Sequence, residues 1–479
     1  MADILALDAT GQLQALETRR ISAVELLEAT LRRHQACHAE INAVVATDLE
    51  RARLRARAID EHRAKGEALG ALAGLPMTVK DTFDVEGLPA SSGLDAYLHR
   101  HPRDAGAVVR AKHADAVIWG KTNTPVLAGD WQTFNDLYGT TNNPWNLERT
   151  PGGSSGGAAA ALAARVTALE IGSDIGGSLR VPANFCGVFA HKPTWGMVSQ
   201  AGHIPPKPGT LAERDLNVVG PMARSARDLR LLLSVLEQGP LAPKAPPAEL
   251  NELKLGLWIE EPGFALDGQV RDVIETFVGE LARRGATVER VRPVDGMALV
   301  QAYSLLLSSV LAEDLPRATF ATMQRLRGVA QLARRFGGRA GAWAAPILAR
   351  TATHAEWIAA DEVRAKMGAQ VRSLFGRLNA VIAPIAPVTA FPHDHRGFGA
   401  RALPTADGGK FPYLSMINWI ALATACGLPA TAVPVGLAAD GMPVGVQIIG
   451  PRAGDSRTLA IAQAIEDEIG GFMQPPEGG

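Results

Sequence analysis

The chain is poor in the features that mark a secreted, membrane-bound or nucleic-acid-binding protein. It has three cysteines, Cys37, Cys186 and Cys426, odd in number and far apart, which argues against a disulfide framework and fits a reducing compartment. Its 48 basic and 49 acidic side chains leave a formal net charge of −1, so there is no global footprint for nucleic acid or lipid. The opening MADILALDATG has neither the basic stretch nor the apolar core of a secretory leader. The nearest approach to a membrane span, residues 418–437, is uncharged but interrupted by Gly427, Pro429 and Pro434, and its second half reads as a buried strand. No internal repeat or long low-complexity linker divides the sequence. A cytoplasmic enzyme built as a single α/β domain over 1–479 is expected.

What is present is a large supply of core: hydrophobic residues make up 47% of the chain. Ser22 to Glu25 is a capping box, with Leu26, Leu27 and Leu31 behind it, and a charged helix is expected from Asp48 to Arg63. From Leu75 to Pro221 the composition changes to short apolar runs, such as LPMTVK and AVIWGK, between Gly, Asn, Thr and Pro. That is the pattern of buried strands whose ends carry functional loops. Residues 253–259, 269–284 and 286–291 read as strand, helix and strand, and 379–387 as a further strand, which implies a mostly parallel or mixed sheet. Between Leu315 and Ala355 lie seven arginines and no acid, with Met323, Leu326, Val329, Leu332 and Phe336 as a partial helical stripe. A solvated helix pair, a cap over a site and a membrane-surface contact all fit that segment.

Two glycine-flanked serine clusters need explaining: Gly-Gly-Ser-Ser-Gly-Gly at 152–157 and Gly-Gly-Ser-Leu-Arg at 176–180, with an alanine-rich stretch of helical composition between them. No lysine follows either serine cluster, so neither is a Walker loop, and no Gly-x-Gly-x-x-Gly opens a helix here. A flexible linker is a poor fit, because the tract sits in well-patterned apolar sequence. A serine nucleophile needs a base. No histidine stands beside either cluster, and His191 and His203 downstream read as packed or surface residues. Lys80 ends an apolar run, where burial would depress its pKa and make it a base.

Taken with LPMTVKDTFDVEG at 75–87, GKTNTP at 120–125, YGTTNNPWN at 138–146, TPGGSSGG at 150–157, GSDIGGSLRVPANFCG at 172–187 and KPTWG at 192–196, the chain resembles the amidase signature family of serine hydrolases. The C-terminal GLPATAVPVG…GMPVGVQIIG matches as well. The resemblance implies a large mixed, mostly parallel twisted sheet surrounded by helices, with a core signature at about 75–221; the arginine-rich segment at 315–355 is expected, from its own composition, to be a helical cap. It makes Ser178 the nucleophile, Ser154 the bridging serine of a cis peptide, with Ser155 its neighbour and rival, and Lys80 the base. The amides of Ile175, Gly176, Gly177 and Ser178 are then the oxyanion donors, and Asp174 and Arg180 brace the loop. The chain departs from the family in Ala190 and His191, which precede Lys192 where a glycine and an apolar residue are usual.

The activity so implied is hydrolysis of a carbonyl C–N bond, with no cofactor and no metal. The His393-Asp394-His395 stretch lacks further ligand spacing. Ala128, Gly129, Asp130 and Trp131, together with 413–420, are the expected substrate contacts. An amide, ester or carbamate (aryl amide, oligoamide and urethane all included) is the expected substrate, turned over by a monomer or homodimer. The rival reading is the glutaminase subunit of a tRNA-dependent amidotransferase, whose Tyr-Asp-Gly-Val-Arg-Tyr-Gly-like stretch is absent between Pro293 and Ala380.

Overall fold

A computed structural model of the chain describes residues 3–100, 102–239 and 245–476. Eleven strands form one sheet: β1 (Val44–Thr47), β2 (Pro76–Lys80), β3 (Val117–Thr122), β4 (Leu169–Asp174), β5 (Phe189–Lys192), β6 (Val218–Ala223), β7 (Lys254–Leu257), β8 (Thr287–Arg290), β9 (Ala380–Pro384), β10 (Ala430–Leu437) and β11 (Pro443–Ile449). Their order across the sheet is β1-β3-β2-β4-β6-β5-β10-β11-β9-β7-β8. Strands β2, β4, β6 and β11 are buried at every residue. Both faces are covered, so these strands read as apolar runs rather than as alternating ones. Leu26, Leu27, Ile59 and Val108 belong to one core cluster, and Leu162, Phe185, Trp258 and Trp419 to another. Each such fully buried large side chain contributes roughly 1.5–3 kcal/mol.

The local signals hold. Ser22 caps the helix Ala23–Ile41 through a complete capping box with Glu25, and Asn42 ends it in the left-handed region at φ 51. The charged helix runs over Leu49–Ala64 and the alanine-rich one over Gly156–Ala163.

The expectation of a mostly parallel sheet needs correction. Four neighbouring pairs are parallel and six antiparallel. The reason lies in the connections. β10 and β11 are joined by a turn over 438–442, closed by the Ala438 amide on the Met442 carbonyl at 2.9 Å. A parallel pair needs a crossover of about a dozen residues or more.

Where strands do run parallel, they place the chemistry. β2 and β4 pair with Val79 opposite Ile171. Their C-terminal ends therefore bring Lys80 and Ser173 to the same edge, where sheets of this kind carry their ligand sites.

After β8 the helix Gly296–Leu311 packs Leu299, Tyr303 and Leu306 into the core, and two further helices follow, Arg317–Arg334 and Gly338–Arg350. Among the described residues, Gly296–Asp314 is the one helical stretch long and apolar enough to cross a bilayer by length and composition. The arginine-rich pair closes on a small cluster, Ala330, Ala344 and Ile347, with Met323 against it. The rest of the expected stripe (Leu326, Val329, Leu332 and Phe336) is exposed.

Candidate active site

Lys80 ends β2 with its side chain fully buried. Its Nζ lies 2.7 Å from Ser154 Oγ and 3.0 Å from Ser173 Oγ. Burial pushes the ammonium down to about 7, against the opposing pull of Asp174 and Glu170. Glu170 is itself buried on β4 and pushed up to about 8, although Thr122 and the Ile171 amide hydrogen-bond to it. Asp81, next to Lys80, turns to the other face as strand geometry requires. There it meets Lys121 Nζ at 3.3 Å and the Ser91 hydroxyl. Among the described ion pairs none involves Lys80. A buried amine without a close carboxylate is a base near neutral pH.

Ser154 follows a cis Gly153–Ser154 peptide. Its carbonyl accepts from Thr124 Oγ1 at 3.0 Å, and the next amide, of Ser155, donates to the Ser178 carbonyl at 3.2 Å, which ties the two serine loops together. Ser155 Oγ points instead to the Ser173 carbonyl at 3.5 Å. Gly153 has no room for a side chain, since a Cβ there would stand 2.5 Å from the Asp130 carbonyl oxygen. Residues 130–132 therefore lie directly against the Ser154 loop.

The Ser178 loop is held by a buried ion pair. Asp174 accepts from the amides of Gly177 (2.9 Å) and Leu179 (3.2 Å) and pairs with the Arg180 guanidinium at 3.0 Å, both side chains fully buried. Burial works against the Asp174 charge, but Arg180, Lys192 and the Gly177 amide together hold the carboxyl below its ordinary range. Arg180 spends all five N–H donors: two on Asp174, the others on Ile420 O, Gln447 Oε1 and Thr424 Oγ1. Gly177 sits at φ 92, a conformation that costs a side-chain-bearing residue. Its amide faces Asp174 and not the open side of the loop, so of the four expected oxyanion donors Gly177 is the one already engaged. The amides of Ile175, Gly176 and Ser178 make no bond to Asp174, and the carbonyls of the first two accept from Tyr303 Oη at 2.6 Å and Trp131 Nε1 at 2.7 Å.

That last bond places Trp131 beside the Ser178 loop. Ala128 and Gly129 lie on the short turn after Pro125, half-buried and exposed respectively. The Asp130 carboxylate is committed, accepting from Tyr413 Oη at 2.6 Å and pairing with Arg401. Trp131, Phe398 and Tyr413 form an aromatic group with ring centroids 4.9–5.7 Å apart, and Arg401 lies over the last two rings. Of the 413–420 stretch, Ile420 also reaches the loop, with its side chain packed where a Gly177 Cβ would point.

Three side chains take parts that the sequence did not show. Ser173 is Lys80's second partner, and His203 stands behind it with Nε2 2.8 Å from Ser173 Oγ. His191, the departure from the usual pattern, joins Thr431 at 2.9 Å and Asp455 at 3.1 Å, a brace between β5, β10 and the last helix. His393 reaches the Leu147 carbonyl, and His395 stacks on Phe134.

Proteins of known sequence share the pattern of this chain along most of its length. Residues 25–459 match the Amidase family. The chain belongs to the Amidase family. It is 34% identical to the A-type subunit of the glutamyl-tRNA(Gln) amidotransferase from Methylococcus capsulatus, over 97% of each chain. Among solved structures it is similar to a bacterial aryl acylamidase of the amidase signature family, at a TM-score of 0.79 and 25% identity over 96% of both chains. It is also similar to 6-aminohexanoate cyclic dimer hydrolase, at 0.78 and 27% over 98% of this chain and 99% of that one. As an amidase-family enzyme the chain acts on carbon–nitrogen bonds. The relatives' names favour the amidotransferase-subunit reading that the sequence alone set second.

Proposed function

We propose that the enzyme cleaves a carbonyl C–N bond through an acyl-enzyme on Ser178, with Lys80 as the base and Ser154 as the relay. The observation that carries this is the buried Lys80 amine, 2.7 Å from Ser154 Oγ and held near neutrality without a paired carboxylate. Ser178 gives its proton to Ser154 Oγ as Ser154 gives its own to Lys80 Nζ, and Ser178 Oγ bonds to the carbonyl carbon. The oxyanion formed is met by the amides of Ile175, Gly176 and Ser178, each such donor worth about 10²–10³ in rate. The relay then runs backward, the leaving nitrogen takes the proton, and its bond to carbon breaks. Water repeats the sequence on the ester and frees Ser178.

For the stand-alone amidase reading, the aromatic group of Trp131, Phe398 and Tyr413 supports a substrate with a flat or bulky side, such as an aryl amide, an oligoamide or an aryl carbamate. The glutaminase-subunit reading has its own support in the names of the relatives, one of them 34% identical. In that reading the amide is glutamine and partner subunits are required. Hydrolysis of anilides, aliphatic amides, carbamates and glutamine by the purified chain alone separates the two. Turnover of anilides or carbamates without partners supports the first. Turnover of glutamine only, or of nothing until partners are added, supports the second.

A further inference from the structure

Lys80 can serve as a base toward Ser154 only if its lone pair, and not one of its N–H bonds, faces the serine hydroxyl. We propose that His203 fixes this direction, acting through Ser173 as a positioning residue; the inference rests on the Ser–Ser–Lys reading above.

His203 lies in the connection between β5 and β6 and is buried. Its Nδ1 is 2.7 Å from the Pro205 carbonyl oxygen, which has no proton to give, so Nδ1 carries the hydrogen. In the neutral ring Nε2 is then a bare acceptor. Burial and the nearby Lys80 push the imidazolium down to about 3, so the ring is neutral wherever the enzyme works. Nε2 stands 2.8 Å from Ser173 Oγ and accepts a hydrogen bond from its hydroxyl. With that proton spent, Ser173 Oγ can only accept, and the group 3.0 Å from it is Lys80 Nζ. One of the two N–H bonds of the neutral lysine is thereby committed to Ser173, so Ser173 does not occupy the lone pair, which stays available to the Ser154 hydroxyl at 2.7 Å.

Take away the acceptor at His203 and Ser173 is free to turn its O–H into the Lys80 lone pair. Lys80 would then present an N–H to Ser154, and the base would be masked. The other charged groups around Lys80 do not replace this function. Glu170 and Asp174 act on Lys80 only at a distance, Glu170 bonded to Thr122 and Asp174 to Arg180. Asp81 is paired with Lys121. His203 itself meets the Phe83 ring edge-on at 4.9 Å and feels the charge of Arg214.

The test uses the full chain and the amide of the panel above that is turned over fastest. His203→Phe keeps a ring against Phe83 but removes the acceptor, whereas His203→Gln keeps a side-chain oxygen to accept from Ser173. His203→Phe is expected to lower kcat about tenfold, the scale of one net hydrogen bond, with KM unchanged. The alkaline-rising limb of the pH–rate profile should move to lower pH, because a Ser173 O–H donated to Lys80 stabilises the neutral amine. His203→Gln should restore both. In a Ser173→Ala background the hydroxyl that would mask Lys80 is gone, so adding His203→Phe there should cost nothing further. A wild-type kcat and limb in His203→Phe would overturn the proposal. So would additive losses in the double variant, or failure of His203→Gln to restore activity in a folded protein. Full activity in Lys80→Ala would instead sink the Ser–Ser–Lys reading itself, a distinct outcome.

Discussion

Replacing Lys80 by methionine should abolish amide hydrolysis and, at acid to neutral pH, make the protein more stable. Lysine in an unfolded chain titrates near 10.4, whereas burial holds Lys80 at about 7. Between those values the unfolded chain binds more protons than the folded one, so stability rises with pH. Below the folded value both states carry the proton and the cost of burying it is complete, about 5 kcal/mol at about 1.4 kcal/mol per pH unit. Above the unfolded value the cost vanishes. Methionine carries no such cost but leaves Ser154 and Ser173 without Nζ, a loss that does not vary with pH. The readout is therefore the pH dependence of the difference. In urea unfolding, the advantage of Lys80→Met over the parent should shrink by about 3 kcal/mol between about pH 6 and about pH 9.5. Lys192, also buried and pushed down to about 7, is present in both proteins and cancels. A difference that stays constant over this range would refute the claim that Lys80 is neutral because it is buried. The rate of the parent enzyme should rise through a limb centred near pH 7, set by the same group.

The remaining predictions concern the walls of the site. Asp174→Asn leaves the fully buried Arg180 guanidinium without its counter-charge and should cost about 3–5 kcal/mol in urea unfolding, along with the amidase activity. Gly153→Ala forces a Cβ to within 2.5 Å of the Asp130 carbonyl, so Ser154 must move; kcat should fall about 10²-fold in a protein whose far-UV circular dichroism is unchanged. The arginine-rich helix pair Arg317–Arg334 and Gly338–Arg350 grows from the helix whose Tyr303 bonds the Ile175 carbonyl, and we read it as a cap and not as a membrane anchor. Co-sedimentation with neutral vesicles at physiological salt should show no stable binding, and stable binding would overturn that reading.

The candidate reacting groups could be picked out in the sequence because their surroundings are local: serines between glycines and a lysine ending an apolar run. Their separate roles came from the family resemblance and not from those neighbours. Ser173 and His203 could not be read in this way. Ser173 comes to Lys80 across 93 positions through the pairing of β2 with β4, and His203 reaches Ser173 from a loop 30 residues further on. The His191–Asp455 contact spans 264 positions. Strand direction was hidden for a different reason. A strand buried on both faces shows the same apolar run whichever way its neighbour points, so β6 and β11, antiparallel to every neighbour, look like the parallel β2. The commitment of the Gly177 amide to Asp174 follows from how the loop turns, which its three glycine and serine letters do not specify.

The central claim is that Ser178 forms the covalent intermediate. A fluorophosphonate or sulfonyl fluoride probe, followed by peptide mapping, tests it most directly. The account predicts a single modified residue, Ser178, and no modification in Ser178→Ala. Modification of Ser154, Ser155 or another residue, with Ser178→Ala still hydrolysing amides, would contradict it.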